Sequence, residues 1–279
     1  MKTILITGIN GFLGSSLAKA LKKEYNIIGL EYSLDNLYRL TNESFKVYSV
    51  ENGIPDEIFK EQHIDIIIHT ATFYGKNEDI TQMAHANLFL PFQLLNKAIK
   101  FGCGLFINTD TVLDRFTNIY SLTKRQFREW LFLRQNEIKV INMQLEHFYG
   151  PGAPDTNFIT AMIKRLKQNE PVINLTAGEQ ERDFVFIEDV VSAYNIIIEN
   201  KDLLKENYNN FQICSGEIIS ISSLMLYLKK ITQSKTNLNF GIIPYREQEL
   251  MKSISNNKQL LELGWKPNSS FLKNLKKII

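Results

Sequence analysis

Tyr120 and Lys124 stand at i and i+4 near the end of the stretch "NTDTVLDRFTNIYSLTK" (108–124), and Thr109 stands near its start. On a helix, residues four apart share one face. A helix beginning at Tyr120 ("YSLTKRQFREWLFL") therefore sets the Lys124 ammonium beside the phenol. A free tyrosine has a pKa of about 10. A cation a few ångströms away favours the phenolate, so the expectation is a phenol that gives and takes a proton near neutral pH. Thr109 falls at the C-terminal end of the apolar run "GLFIN", where a doubly wound sheet binds its ligands. Its hydroxyl can hydrogen-bond the oxygen that the tyrosine protonates. The three residues together suit proton transfer to or from a carbonyl or alcohol oxygen.

Such a trio needs a partner for the carbon, and the N-terminus offers one. "TILIT" is a short β-branched run, "GINGFLG" follows it, and "SSLAKALKKEY" has helical periodicity. Gly8, Gly11 and Gly14, with Asn10, Phe12 and Leu13 between them, permit a tight turn and close approach of backbone to a pyrophosphate at a helix N-terminus. The next strand, "NIIGLEY", ends at Glu31, whose carboxylate can accept hydrogen bonds from an adenosine ribose and would repel a 2′-phosphate. Glu31 thus favours NAD(H), while Ser33, Asn36 and Arg39 lie near enough in sequence to receive the 2′-phosphate of NADP(H). With a nicotinamide bound, hydride chemistry at carbon joins proton chemistry at oxygen.

The elements that must position these groups alternate. "DIIIHTAT" (65–72) and "GLFINTD" (104–110) read as strands separated by a helical stretch, 78–100, and "IKVINMQLEHFYG" (138–150) reads as one more strand running into a turn. Strands alternating with helices predict an α/β fold, a Rossmann-like doubly wound parallel sheet. After "YGPG" (149–152) turns and asparagines become more frequent, which predicts a smaller C-terminal substrate-binding lobe. "ERDFVFIEDVVSAYNIII" (181–198) reads as a strand entering a helix that returns to the first lobe. The expected division is 1–150 plus about 183–214 for the dinucleotide-binding domain, and about 151–182 plus 215–279 for the lobe.

Composition sets the outer limits. The 279 residues are 44% hydrophobic and 22% charged with a net charge of +2, ordinary values for a globular protein and far from a dedicated nucleic-acid binder. Cys103 and Cys214 fit no zinc spacing, and reduced thiols in a cytoplasmic protein are expected. The histidines His63, His69, His85 and His147 show no paired-ligand pattern, so no metal is expected. No stretch approaches eighteen apolar residues, so no membrane span is expected.

In its order of motifs the chain resembles the extended short-chain dehydrogenase/reductases, in the NAD-dependent epimerase/dehydratase branch that works on nucleotide sugars. The resemblance rests on "TGINGFLG" (7–14), "DIIIHTAT", Asn87 in "ANLFLPFQLL", "NTDTV" (108–112), "YSLTK" (120–124), "FYGPG" (148–152), "GEQERDFVFIEDVVSA" (178–193) and "LGWKP" (263–267). It implies Thr109, Tyr120 and Lys124 as the catalytic trio, with Tyr120 and Lys124 also against the cofactor. Thr70, Ala71 and Asn87 would line the cofactor, and Asn157 and Arg182 would hold a substrate diphosphate. Asp110, Thr111 and His147 would lie toward the substrate. The chain also departs from relatives: Thr111 stands where the 4,6-dehydratases resembling it carry a glutamate base, and the Thr109–Tyr120 segment is short. These departures imply a reductase of a 4-keto-6-deoxy sugar nucleotide. A nucleotide-sugar 4-epimerase with bound NAD is the alternative, and a non-enzymatic dinucleotide sensor a remote one. The same resemblance implies a homodimer through the helices at 78–100 and 120–134, which carry Phe89, Phe92, Leu95, Phe127, Trp130 and Leu131.

Overall fold

The computed structural model describes residues 1–75, 79–267 and 270–279. The chain forms two compact units, Met1–Leu145 with Tyr194–Phe211, and Glu146–Ala193 with Gln212–Ile279. The first unit alternates as the sequence predicts. Its strands are β1 (Thr3–Thr7), β2 (Asn26–Glu31), β3 (Lys46–Ser49), β4 (Ile66–His69), β5 (Leu105–Thr111) and β6 (Lys139–Leu145). Its helices are α1 (Phe12–Leu21), α2 (Glu57–Glu61), α3 (Ile80–Ala84), α4 (Leu90–Lys100) and α5 (Ile119–Leu133). Neighbours β3-β2-β1-β4-β5-β6 pair in parallel. This is the order of a Rossmann-like sheet, and the strand order reverses between β1 and β4, beside the glycine turn. All five residues of β1 are buried, as a strand covered on both faces requires.

The second unit contains β7 (His147–Tyr149), β8 (Val172–Asn174) and β9 (Glu181–Phe186), with α6 (Phe158–Lys167) and the start of α7 (Ile187–Asn200). The strand β10 (Tyr208–Ile213) is the last of the seven-stranded sheet, next to β6. Then come β11 (Ile218–Ser220), α8 (Ile221–Ile231) and β12 (Asn237–Asn239). β11, β9 and β7 form a three-stranded sheet, and β12 pairs with β8. Trp265 of the "LGWKP" stretch is 1% exposed, and its Nε1–H donates to Ser192 Oγ at 2.9 Å and to the Asp189 carbonyl at 3.2 Å. That motif pins the chain's C-terminal part to the foot of α7.

Three expectations need correction. The stretch 138–150 is two strands in two different sheets. Glu146 breaks it: its N–H bonds the Ile213 carbonyl at 3.1 Å and its carboxylate accepts from Ser253 and Ser255. The stretch 78–100 is not one α-helix, since a π-helical turn at His85–Phe89 separates α3 from α4, and Glu78 lies outside the described residues. Of the six apolar residues expected to meet a partner, Leu95, Phe127 and Leu131 belong to the first unit's own core. Helical period turns them to the sheet, and it leaves Phe89 at 58% and Trp130 at 49% exposure.

Candidate active site

The glycine turn is built for close approach. Gly8 has φ +63°, and its N–H bonds the Leu30 carbonyl at 2.8 Å. A Cβ on Gly8 would lie 2.9 Å from Ala71 Cα, one on Gly11 2.9 Å from the Gly8 carbonyl oxygen, and one on Gly14 2.2 Å from that same oxygen. The turn is therefore as tight as backbone allows. No side chain caps the N-terminus of α1, so its positive end faces the loop. These features fit a dinucleotide pyrophosphate, with Phe12 and Leu13 opening the helix. Asn10 holds the loop in place: its N–H donates to Glu31 Oε2 at 2.9 Å and its Nδ2 to the Asn36 carbonyl at 3.0 Å. Its Oδ1 accepts from Arg39 N–H at 3.0 Å. The Arg39 guanidinium reaches the Asn10 carbonyl at 3.5 Å, so Glu31 and Arg39 meet the same residue of the loop. Ser33 Oγ is spent on Asp35.

Across the strand-order reversal, Thr7 Oγ1 accepts from the N–H groups of Thr70 and Ala71, both at 3.1 Å, and Thr70 Oγ1 donates to the Thr7 carbonyl at 2.6 Å. This fixes the segment after β4 against the glycine turn. Asn87, in the π-helical turn, continues the fixing. Its Oδ1 accepts from Phe73 N–H at 2.8 Å and Thr72 Oγ1 at 3.2 Å, and its Nδ2 donates to the Phe73 carbonyl at 2.9 Å and Thr123 Oγ1 at 3.1 Å. Asn87 thus ties the 72–73 segment to the residue before Lys124.

The trio sits on β5 and α5. The α5 N-terminus is closed by a capping box between Asn118 and Ser121, a signal the sequence reading passed over. The Tyr120 ring packs tilted by 34° against Tyr74, ring centroids 4.7 Å apart, with the Tyr74 and Thr72 hydroxyls beside its own. Thr109 Oγ1 lies 2.7 Å from the hydroxyl of Tyr194, on α7 and fully buried. Nothing in the sequence announced Tyr194, because its contact with Thr109 joins residues 85 apart along the chain. The electrostatics differ from expectation. Burial first, then Tyr74 and Asp110, push the Tyr120 phenol well above its ordinary value. Lys124 is only 3% exposed, and burial pulls its ammonium down to about 8, against the opposing pull of Asp110. Both groups are withdrawn from water, and desolvation disfavours phenolate and ammonium alike. The tyrosine therefore stands as a proton donor.

Asp110, next along β5, turns to the opposite face from Thr109. Its Oδ2 accepts from Asn142 Nδ2 at 2.9 Å and lies 3.2 Å from Arg128 Nε. Thr111 is buried, and its Oγ1 accepts from Leu113 N–H at 3.2 Å.

In the second unit Arg182, on β9, pairs with Glu249, and its Nη1 donates to the Glu181 carbonyl at 2.9 Å. Neighbouring Asp183 fixes a turn by accepting from Ser215 and Gly216 N–H at 2.8 Å each. Asn157 caps α6 and donates from Nδ2 to the Phe148 carbonyl at 2.8 Å. The half-exposed His147 ring places Nδ1 3.5 Å from Glu146 Oε2. Among the described residues no group of histidine, cysteine and acidic side chains has a metal site's arrangement, and no helix is long and apolar enough to cross a membrane.

Residues 4–214 match the model of the NAD dependent epimerase/dehydratase family. The chain is 32% identical to CDP-abequose synthase of Salmonella typhimurium, across 99% of this chain and 97% of that one. It is 24% identical to dTDP-D-glucose 4,6-dehydratase of Mus musculus, across 100% and 88%. Among solved structures it resembles UDP-glucuronic acid 4-epimerase from Bacillus cereus in complex with UDP-glucuronic acid and NAD (TM-score 0.87, 22% identity, 99% and 97% covered). It also resembles UDP-glucose 4-epimerase with UDP-glucose from Thermotoga maritima (TM-score 0.85, 24% identity, 99% and 96% covered). Those structural likenesses speak to the fold.

Proposed function

The chain belongs to the NAD dependent epimerase/dehydratase family, and on that premise we propose that it reduces a 4-keto-6-deoxy sugar nucleotide in the cytoplasm, in the making of a surface-polysaccharide deoxysugar. It is an NAD-dependent sugar-nucleotide enzyme of the short-chain dehydrogenase/reductase type. On this reading the first unit holds the dinucleotide and the second the nucleotide sugar. The backbone of Gly8, Asn10, Gly11, Phe12, Leu13 and Gly14 receives the pyrophosphate, Glu31 the adenosine ribose, and Lys124 with Tyr120 the nicotinamide ribose. Thr70, Ala71 and Asn87 shape the wall between them. Glu31 supports NADH; Arg39, on the same loop residue, makes NADPH the comparison to run.

A bound reduced nicotinamide supplies hydride to the carbonyl carbon. Thr109 holds the carbonyl oxygen, with its hydroxyl oriented by Tyr194. Tyr120 gives its phenol proton to that oxygen as negative charge develops there. Protonated Lys124 holds the ribose and stabilises the tyrosine after its proton has left. In the second unit Arg182 and Asn157 take the diphosphate, with Arg182 exchanging Glu249 for phosphate oxygens, which suit its planar fork.

The similarity to CDP-abequose synthase supports the reductase reading, and the observation that sets dehydration aside is Thr111. At the position of a dehydratase base stands a buried hydroxyl already accepting a backbone N–H, and beside it Asp110 is committed to Arg128 and Asn142. No group there removes a proton from carbon. Incubation with a 4-keto-6-deoxy sugar nucleotide and NADH or NADPH should give a product two mass units heavier with matching loss of nicotinamide absorbance. An isomer of unchanged mass, formed without added cofactor, would replace this reading with that of a 4-epimerase.

We also propose a homodimer. Phe89 and Trp130 project from the π-turn and α5 into solvent, with Leu133, about one turn after Trp130, at 69% exposure. A twofold axis through these helices would cover this face in both copies at once. Light scattering should give the mass of two chains, and Trp130→Glu should move it toward one.

A further inference from the structure

Beneath α5 the sheet carries a row of polar side chains where apolar ones are the rule. Thr7, His69, Asn108 and Asn142 are register neighbours on β1, β4, β5 and β6, so they share one face. Asn108 and Asn142 are fully buried, and His69 is 1% exposed.

The row has a direction, and Asp110 sets it. Paired with Arg128, the Asp110 carboxylate can only accept. Asn142 gives one amide hydrogen to Asp110 Oδ2 at 2.9 Å and the other to Asn210 Oδ1 at 2.7 Å. Both its hydrogens are spent, so its own Oδ1 must receive Asn108 Nδ2, at 2.7 Å. The Asn108 amide therefore cannot flip, and its Oδ1 is left facing away from Asn142. That oxygen is buried and, among the described residues, has no hydrogen-bond partner. A buried orphan acceptor costs about 1–3 kcal/mol and calls for a donor.

α5 lies over this face, with Phe127 against Phe106 at 6.1 Å between ring centroids and Arg128 Nε 3.2 Å from Asp110, and buried Lys124 comes about one helical turn before them. Its charge is felt by His69, and it in turn feels Asp110. Those two groups flank Asn108, one across the β4–β5 pairing and the other two residues along the same face of β5. With Phe127 over Phe106 and Arg128 beside Asp110, the turn of α5 that carries Lys124 lies at the level of Asn108 between them. Phe106, the next residue back on this face, is covered by the rings of Phe127 and His69. His69 is held neutral by burial, and its Nδ1 is met by Thr7 Oγ1 at 2.8 Å.

We propose that Asn108 is a positioning residue for Lys124: the amide row anchored on Asp110 aims the Asn108 carbonyl oxygen at the lysine ammonium, holding it protonated and in place beside Tyr120. A hydrogen bond to the charged form favours that form. It thereby counters the burial that brings Lys124 down to about 8. The charged and titratable groups around the ammonium are Asp110 from β5, neutral His69 from β4, and Tyr120 and Arg128 from α5 itself. The inference rests on Lys124 being the working cation of the trio.

The test reads Lys124 directly. The full chain is labelled with [13Cε]lysine, and the Lys124 signal is identified by its loss in Lys124→Met. Asn108→Leu should lower the pH at which Lys124 titrates by about one unit or more, and Asn108→Asp should raise it. Asn108→Ser, which fits the same space, carries the measurement if the leucine variant does not fold. An unchanged Lys124 titration in the folded variants overturns the proposal. The experiment needs neither cofactor nor substrate, so a chain that reduced no sugar nucleotide would still show the shift.

Discussion

Tyr120→Phe is expected to bind reduced dinucleotide as the parent does and to turn over substrate roughly 10²–10⁴-fold more slowly. The substitution removes one oxygen. The ring keeps its place on Tyr74, and Lys124 keeps its place one helical turn on. The phenol lies well above its ordinary value, so it carries its proton throughout the neutral range. The pH profile should instead follow Lys124. Below about 8 the ammonium is charged; as pH rises through about 8 it loses its proton, and the rate of reduction should fall with it. Steady-state rates from pH 6 to 10, beside a dinucleotide titration of the phenylalanine variant, check both points. A parental rate in Tyr120→Phe would take the proton donor's role from this residue.

Gly14→Ala should weaken dinucleotide binding by about ten- to a hundredfold while the rest of the sheet stays folded. Gly14 is helical, so alanine suits its own backbone, and the harm comes from a neighbour. The new methyl would lie 2.2 Å from the Gly8 carbonyl oxygen and 3.0 Å from Ile9 Cα. Backbone has to move, because no flexible side chain is there to yield. Forcing an extra carbon into such a space costs about 1–3 kcal/mol. The displaced loop also loses the geometry that Asn10 fixes between Glu31 and Arg39. Fluorescence titration with NADH and a thermal melt would separate the two effects. Parental affinity in a folded Gly14→Ala protein would remove the turn from the binding site.

The parts of this molecule that sequence makes legible are those whose causes are local. A β-branched run, three glycines and an amphipathic stretch specify β1, the turn and α1 within twenty residues. Tyr120 and Lys124 declare themselves by helical spacing alone. The break at Glu146 is not legible, because no glycine or proline marks it; only the partners Ser253 and Ser255, a hundred residues away, do. Tyr194 and the Asn108–Asn142–Asn210 row are hidden for the same reason. Period-two alternation says which face a strand residue takes, and it is silent on who waits there. The rise of the Tyr120 phenol is hidden too, since spacing reveals the neighbouring charge and not the depth of burial.

The π-helical turn at His85–Phe89 bears on how this chain tolerates change in length. Such a turn accommodates one residue more than an α-helix of equal rise. Deleting a single residue between Ala84 and Leu90 would let α3 and α4 fuse into an unbroken α-helix, a locally relaxed outcome. The helix on either side would keep its phase, and the shift would fall on the pentapeptide itself, where Asn87 sits. Asn87 could no longer span Phe73 and Thr123, and Lys124 would lose its tie to the strand-order reversal. Gaps in alignments of related chains should therefore avoid this pentapeptide, while single-residue length changes at the exposed loop tips pass without consequence.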